Sequence, residues 1–352
     1  MSGSTSRSRS PDPALRDALA LSLARGVGPS RHRELIEAHG SAEQALLAIS
    51  RSQAAELRRT ADRMLETAAE RGVRALHARD AAYPAPLLEL PDPPPVLWLA
   101  GDVGALAAPC VSIVGTRRCT AYGERVTREL ATALARVGVG VVSGMALGID
   151  AAAHRAALEA GGLSIAVLGT GVDVPYPAGH RELHARLAAS GLVVAESPPG
   201  TPAQPGSFPR RNRIIAALSP VVVIVEAGAA SGALITARIA LDLGRTIAAV
   251  PGPIDQPQSA GSNELLRDGA IVIASVADLL ALVGRTPAVR RDPPPDDADG
   301  AEVWRALADG ALDLDALCAR SRLPAARCLQ AVTMLELAGR VECALTGEIR
   351  RR

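Results

Sequence analysis

The sequence predicts an α/β protein built on a Rossmann-like, doubly wound and mostly parallel sheet, with an N-terminal helical domain and a C-terminal winged helix. The main observation is a series of short apolar runs rich in β-branched residues, separated by alanine-rich segments of helix length. Runs that are apolar throughout are typical of parallel strands buried on both faces. The runs lie at 111–115, 140–144, 164–169, 192–196, 221–227, 246–252 and 270–275.

Changes in composition divide the chain into five segments. Residues 1–13 are rich in Ser, Arg and Pro and are expected to form a disordered tail. From 14 to 80 leucines recur at helical spacing, which predicts a helical domain. A proline-rich stretch opens the predicted Rossmann-like core, 81–285. A charged, proline-rich linker at 286–300 and a small module at 301–352 follow it.

The two end modules each allow two interpretations. The turn Gly26-Val27-Gly28 between the first predicted helices either presents backbone N–H groups to a DNA phosphate, as helix-hairpin-helix modules do, or is a tight connection. The last module has the order helix, helix–turn–helix, then a hairpin turning at Thr346-Gly347, which is the order of a winged helix. Its charges are nearly balanced, so it is either a DNA-binding module or a helical interaction module.

Composition excludes several classes of function. The chain of 352 residues has 38 basic and 37 acidic side chains, so binding to nucleic acid needs a local basic patch rather than a global field. All 38 basic residues are arginine, so no lysine is present to act as a Schiff-base nucleophile. Aromatic residues make up 2% of the chain, which is too few for rows of base-stacking rings.

The cysteines and the N-terminus predict the compartment. Five scattered cysteines without a CxxC pair indicate free thiols in a reducing environment rather than disulfides or a zinc site. The first residues lack the apolar core of a signal peptide, and no stretch reaches the roughly 18 apolar residues of a membrane span. We therefore expect a soluble cytoplasmic protein with no membrane partner.

Small residues follow the predicted strands at the edge where doubly wound sheets bind ligands. After the first strand, a tight glycine turn leads to a helix N-terminus that suits an anion, and the Arg117 guanidinium fits a phosphate. This turn is not GxGxxG, and no acidic residue is placed to hold a ribose, so neither NAD nor another cofactor is predicted. The predicted phosphate groove consists of Gly115, Thr116, Arg117, Ser143, Gly144, Gly169 and Ser231.

A second cluster combines cations with the single phenylalanine of the chain, Phe208. Arg210, Arg211 and Arg213, with Asn212 among them, are predicted to bind the phosphates of a polyanion without sequence preference. Phe208 is predicted to stack on one base, an interaction of ~1–3 kcal/mol. The alternative is that Phe208 fills a core pocket and that one arginine, Arg213 above all, makes an internal ion pair.

The sequence offers few groups for catalysis. Glu196 and Glu226 each follow a strand and are placed either for acid–base chemistry or to accept hydrogen bonds from loops and arginines. Asp150 and His154 are four residues apart, which fits a metal or acid–base pair, or a pair that stabilises the helix. No serine or cysteine has an evident base, and no histidine pair has metal spacing. No catalytic residue and no metal site are therefore predicted.

The motifs occur in an order and spacing that resembles the DprA/Smf family, the DNA-processing protein A of bacterial natural transformation. The resemblance spans the Rossmann-like core, about half the chain. The flanks resemble the family's N-terminal sterile-alpha-motif or helix-hairpin-helix-like domain and its C-terminal winged helix. The matching segments are 114–117 (VGTR), 143–150 (SGMALGID), 169–177 (GTGVDVPYP), 208–219 (FPRRNRIIAALS), 226–237 (EAGAASGALITA), 250–252 (VPG) and 259–270 (SAGSNELLRDGA).

This resemblance implies a DNA-binding protein without catalysis. Members of the family bind incoming single-stranded DNA, shield it from nucleases, and load the RecA recombinase onto it in competition with single-strand-binding protein. They form homodimers through the Rossmann-like domain. By position, Arg117 and the segment 208–213 would line the phosphate pocket.

Two other functions stay open. The core resembles, more distantly, the nucleotide phosphoribohydrolases of the lysine-decarboxylase-like group, which would use the same groove for a nucleoside monophosphate. The segment 226–237 lacks the glutamate spacing of their PGGxGTxxE motif. A transcription regulator, with the core as sensor and the winged helix as reader, would instead bind duplex DNA sequence-specifically.

Overall fold

The computed structural model describes residues 12–286, 294–308, 310–344 and 347–351. Most of the predicted tail and residues 287–293 of the predicted linker lie outside these ranges. The chain divides into two compact units, Met1–Ala288 and Val289–Arg352.

Three helices open the first unit and confirm the predicted helical N-terminal region. They are α1 Pro13–Leu23, α2 Pro29–His39 and α3 Ala42–Glu70. Prolines occupy the first turns of α1 and α2, where the missing N–H has no helical partner to lose. The Ser41 hydroxyl accepts a hydrogen bond from Gln44 N at 3.1 Å and caps α3. Asp17 of α1 is buried and pairs with Arg58 of α3 at 2.9 Å, which ties the helices together.

Nine strands form one sheet in the first unit. They are β1 Arg74–His77, β2 Val96–Gly101, β3 Cys110–Val114, β4 Gly140–Ser143, β5 Ser164–Leu168, β6 Leu192–Ala195, β7 Val221–Ile224, β8 Thr246–Ala249 and β9 Ile271–Val272. Their order is β1-β2-β6-β5-β4-β3-β7-β8-β9, and the strands from β3 to β9 pair in parallel. This confirms the predicted mostly parallel, doubly wound sheet.

An antiparallel edge, β1 and β2, was not predicted. β1 lies within the segment predicted as helical, yet it pairs with β2 in the register Leu76↔Leu97. β2 pairs antiparallel with β6, and its Trp98 is buried. A run of four residues is too short for hydrophobic periodicity to distinguish a strand from a helix.

Helices cover both faces of this sheet. They are α4 Ala121–Arg136, α5 Ile149–Glu159, α6 Arg181–Ser190, α7 Ser207–Leu218, α8 Gly232–Asp242, α9 Ala260–Arg267 and α10 Val276–Leu282. Along β3, Ile113 belongs to the same hydrophobic cluster as Leu130 of α4, and Val114 to the same cluster as Ile215 of α7. Alternation along a strand therefore buries both faces. Of the helices in the described ranges, none is long and apolar enough to cross a membrane.

The direction in which the sheet is built reverses between β3 and β7. From β3 the chain builds outward through β4, β5 and β6, and α7 then returns it to β7 on the other side of β3. The connections after β3 and β7 therefore diverge, and they leave a crevice at the carboxyl ends of these strands. Doubly wound sheets bind ligands at such a switch point.

The second unit is a winged helix, as predicted. Its helices are α11 Ala298–Ala306, α12 Leu314–Ser321 and α13 Ala325–Leu337, and its hairpin is β10 Val341–Cys343 and β11 Ile349–Arg351. Trp304, Leu317 and Leu335 bring the three helices into one core. Leu312 bridges to Ile349 and adds a third extended segment to the hairpin. α11 begins within the segment expected to be linker.

Candidate functional site

A cleft of about 540 Å³ lies at the switch point, between the loops that follow β3 and β7. We call it the switch-point cleft. The loop after β3 forms one wall, the loop after β7 with the first turn of α8 forms the opposite wall, and α7 completes it. The predicted site residues that line this cleft are Gly115, Thr116, Arg117, Phe208, Arg211, Asn212 and Ser231.

Residues 115–120, which we call the Arg117 loop, carry the accessible positive charge. Gly115 is required where the loop leaves β3, because a Cβ there would lie 2.5 Å from Ile149 Cγ1 and 2.8 Å from a main-chain oxygen. Arg117 and Arg118 are both exposed. Within the described ranges, neither guanidinium has a carboxylate within 4.0 Å. The cleft therefore carries two cations that are available to an anionic ligand.

The N-terminus of α8 forms the opposite wall. Ser231 caps this helix, and its hydroxyl accepts a hydrogen bond from Ala233 N at 3.3 Å. The first turn of α8 contains no acidic residue. The positive end of the helix dipole and its free N–H groups therefore face the cleft without a compensating charge, an arrangement that suits phosphate.

Phe208 supplies an aromatic surface beside the cations. Its ring centroid lies 4.9 Å from that of Tyr176, with 34° between the planes, and Arg117 Cζ lies 5.7 Å from the Phe208 centroid. Phe208 is only half-buried, so it does not fill a core pocket. Gly169 makes room for the ring, since a Cβ there would lie 3.0 Å from Phe208 Cδ1.

Arg211 lies at the bottom of the cleft and is held by the protein itself. Its side chain is 6% exposed, and Nη1 donates to Gly144 O at 2.6 Å and also to Val167 O. A Cβ at residue 144 would lie 2.5 Å from Arg211 Cζ, so any larger residue there would have to displace the guanidinium. Arg211, predicted as a ligand contact, therefore joins the loop at Gly144, which was also predicted as a contact, to strand β5.

The loop 144–146 is also held from α5. Asp150 Oδ2 accepts hydrogen bonds from Gly144 N at 3.2 Å and Ala146 N at 3.4 Å. His154 Nε2 accepts one from Met145 N at 3.2 Å. Burial raises the pKa of Asp150 and, with nearby positive charge, lowers the pKa of His154 to about 3. Asp150 and His154 therefore each accept hydrogen bonds from the backbone of this loop. They do not form the acid–base or helix-stabilising pair that their spacing allowed.

Two predicted contacts, Ser143 and Arg213, have side chains that are buried and already hydrogen-bonded within the protein. Ser143 is fully buried, and its hydroxyl donates to Ile113 O at 2.6 Å. Arg213 is 6% exposed and pairs with Asp92 and Glu196, each at 2.9 Å. Arg213 therefore makes the internal ion pair that was the alternative interpretation of this residue.

Glu196 and Glu226, two of the carboxylates considered for acid–base chemistry, both lie outside the lining of the switch-point cleft, whereas Asp150 belongs to that lining. Glu196 pairs with Arg213 and with the half-exposed Arg210, the latter at 2.8 Å, beside a separate cavity of about 320 Å³. Glu226 accepts hydrogen bonds from Thr120 N at 2.9 Å and Thr120 Oγ1 at 2.5 Å. Both therefore act as acceptors for arginines or loop groups, the second of the two roles proposed for them.

One cluster in the described part of the chain has the spacing of a metal site, and it lies away from this cleft. Asp12, His77 and Asp80 place one ligand atom each within 4.8 Å of the others. Arg79 N donates to His77 Nδ1 at 3.3 Å, which leaves the neutral ring's proton on Nε2, facing the two carboxylates. A histidine that ligates through Nε2 needs its proton on Nδ1, so these hydrogen bonds do not fit a metal.

Sequence reasoning did not select Arg118 or Tyr176. Arg118 follows Arg117 directly in the same loop, and both line the cleft. A pair of arginines after a strand-end glycine is a signal that the sequence does contain. Tyr176 reaches Phe208 only through the fold, because the two residues follow different strands.

A doubly wound sheet with exposed arginines in the cleft at its switch point, joined to a winged helix, defines a Rossmann-like protein whose cleft suits polyanionic ligands. The sequence profile described as DNA recombination-mediator protein A matches residues 74–284, and that of the DprA winged helix domain matches residues 278–344. The chain therefore belongs to the DNA-processing protein A (DprA/Smf) family, as its motifs predicted.

Similar proteins of known sequence or structure agree with this assignment. The chain is 43% identical over 260 residues to the putative DNA processing protein DprA of Mycobacterium tuberculosis, covering 71% of this chain and 67% of that one. It is 39% identical over 285 residues to protein Smf of Escherichia coli, covering 77% and 75%. The solved structure of DprA from Streptococcus pneumoniae matches with a TM-score of 0.64 and 32% identity over 76% of this chain and 95% of that one. DprA from Helicobacter pylori, described for its unique single-stranded DNA binding mode, matches with a TM-score of 0.56 and 33% identity over 60% and 95%.

Proposed function

We propose that this protein binds single-stranded DNA in the switch-point cleft. The observation that carries the proposal is the pair of exposed guanidinium groups, Arg117 and Arg118, beside the ring pair of Phe208 and Tyr176. Cations next to an accessible aromatic face are the combination that single-strand binders use, since phosphates need charge and unpaired bases need a stacking surface.

Each wall of the cleft has a distinct part in this binding. Arg117 and Arg118 neutralise phosphates, and the N-terminus of α8 offers N–H groups to one of them. Phe208 stacks on a base, which any of the four bases permits. These contacts do not read base edges, so the proposal is for binding without sequence preference.

Family membership supports the proposal and extends it. The relative from Helicobacter pylori is described by its single-stranded DNA binding mode. By the same family relationship, we propose that this chain protects incoming single-stranded DNA and loads RecA onto it in competition with single-strand-binding protein. We further propose that it acts as a homodimer through the Rossmann-like unit, and by binding rather than by catalysis.

Fluorescence anisotropy with a labelled oligonucleotide tests the proposal. The full chain is titrated against single-stranded and duplex forms of one sequence at several salt concentrations. The variant R117A/R118A is compared with R128A as a matched control, because Arg128 is an exposed arginine of α4 paired with Glu159. We expect preference for the single strand, a weakening of about tenfold or more in R117A/R118A, and wild-type binding in R128A.

Each other outcome points to a different reading. Unchanged binding in R117A/R118A would move the DNA site away from the cleft. Sequence-specific duplex binding would favour a transcription regulator, and hydrolysis of nucleoside monophosphates without DNA binding would favour the phosphoribohydrolase-like enzyme. The RecA step is tested by RecA ATPase activity on oligonucleotide covered with single-strand-binding protein, which we expect the wild type to accelerate and R117A/R118A not to.

A further inference from the structure

Glu226 holds both ends of the Arg117 loop. At the start of the loop, Thr116 N donates to the main-chain oxygen of Glu226 at 2.7 Å. At its end, Thr120 N and Thr120 Oγ1 donate to the two carboxylate oxygens of Glu226, at 2.9 and 2.5 Å. The residues between these anchors include Arg117 and Arg118. Glu226 is 1% exposed, so this carboxylate is a buried group that acts on the loop from beneath it.

The fold makes room for this carboxylate at one position. Gly123 lies in the first turn of α4, and a Cβ there would lie 2.4 Å from both Cδ and Oε2 of Glu226. Thr120 Oγ1 also accepts a hydrogen bond from Gly123 N at 3.1 Å, which caps α4. The carboxylate, the capping hydroxyl and the helix N-terminus thus form one unit, in which the negative charge lies at the favourable end of the helix dipole.

The Arg117 loop has few other anchors. Thr116 is half-buried and both arginines are exposed, so their side chains add little packing. Ile149 N donates to Thr116 O at 3.3 Å, which holds the same end of the loop that the Glu226 carbonyl already holds. At the far end, the Glu226 carboxylate acts together with the partly buried Cys119, which packs against the cluster of Leu130, and with the cap of α4. A binding loop that is fixed before the ligand arrives loses less conformational entropy on binding.

We propose that Glu226 is a positioning residue for the DNA site: it fixes the Arg117 loop so that both guanidinium groups face the switch-point cleft, without touching the ligand. This inference rests on the proposed function of the cleft. This role explains why a carboxylate lies buried beneath a proposed anion site. A carboxylate in direct contact with the anionic ligand would repel that ligand.

The test is a double-mutant cycle in the full chain, measured by anisotropy with the same single-stranded oligonucleotide. The four proteins are the wild type, E226A, R117A/R118A and the triple variant. We expect E226A to weaken binding about tenfold in the wild-type background and less than about twofold when the two arginines are absent. The slope of log affinity against log salt should fall by about 1.4 in E226A, as for two lost phosphate contacts on a single strand.

Two further variants separate positioning from folding. E226Q should bind within about threefold of the wild type, because its amide can accept from Thr120 N and donate to Thr120 Oγ1. G123A leaves Glu226 in place but displaces its carboxylate, and it should weaken binding like E226A. G179A is the matched control, since a Cβ at Gly179 meets nothing within 4 Å. Circular dichroism shows whether each variant is folded. If E226A does not fold, G123A takes its place in the test.

The outcomes for the cleft and for Glu226 are distinguishable. If R117A/R118A binds like the wild type, the proposed site itself fails. If R117A/R118A weakens binding but folded E226A and G123A do not, only the role of Glu226 is overturned. An equal loss from E226A in both backgrounds would also overturn it, because Glu226 would then act elsewhere than through the arginines.

Discussion

Replacing Arg211 by methionine is expected to lower the free energy of unfolding of the first unit. The guanidinium donates to Gly144 O and Val167 O and is the cation whose field acts on the buried carboxyl of Asp150. Methionine fills similar space but leaves two carbonyls without donors and one buried carboxyl without its counter-charge. Hydrogen bonds from a charged group contribute about 1.5–3 kcal/mol each, and the guanidinium donates two of them. We therefore expect a loss of about 3–5 kcal/mol.

Urea denaturation followed by circular dichroism measures this loss. R117A is the comparison, because Arg117 is exposed and its removal is expected to change stability by no more than about 0.5 kcal/mol. R211K separates charge from geometry. Lysine keeps the positive charge but lacks the planar fork that reaches both carbonyls, so it should recover only part of the loss.

Anisotropy on the same proteins completes the comparison, under conditions where each variant is folded. The expected pattern is reciprocal: R117A weakens DNA binding at unchanged stability, and R211M loses stability. The reasoning is refuted if R211M unfolds within about 1 kcal/mol of the wild type and weakens single-strand binding as strongly as R117A. Arg211 would then be a ligand contact, as its place in the sequence first indicated.

Three further predictions concern buried residues of the first unit. His154 has a folded-state pKa of about 3, below its ordinary 6.5, so the unfolded chain takes up the proton first as the pH falls. The contribution of neutral His154 to stability is therefore complete above pH 6.5 and is lost progressively toward pH 3. Between pH 8 and pH 5 the wild type should therefore lose about 2 kcal/mol more than H154Q in urea titrations, and equal losses would contradict the assignment. G144A should lower the free energy of unfolding by about 1–3 kcal/mol, because the added Cβ would displace the Arg211 guanidinium. Thermal unfolding measures this, and an unchanged melting temperature would show that the guanidinium moves aside freely. R213M should destabilise by roughly 3 kcal/mol by leaving Glu196 without one buried partner, yet the folded variant should keep wild-type affinity for single-stranded DNA; a weakening equal to that of R117A would restore Arg213 as a contact.

Much of the fold can be predicted from local patterns in the sequence. The central parallel strands, such as β3 and β7, are mostly apolar because both of their faces are buried. A continuous apolar run of this kind can be recognised without knowing which strands it pairs with. The winged helix is likewise indicated by the order of its helices and hairpin. Five of the seven family motifs lie at strand ends, where the chain must turn and where doubly wound sheets bind ligands, so the position of the switch-point cleft was predictable. The edge strand β1 was not predictable, because its four residues are too few to show a hydrophobic periodicity.

The sequence by itself determined the class of the sheet, the end of the sheet at which the candidate site lies, and the candidate cations. Only the tertiary structure decided among those cations. Arg117, Arg211 and Arg213 are chemically identical, and whether a guanidinium is available depends on the acceptors that surround it. Those acceptors come from distant parts of the chain: Gly144 O and Val167 O for Arg211, and carboxylates on two separate loops for Arg213. A charge is free or paired according to its three-dimensional neighbours, and spacing along the chain does not contain that information.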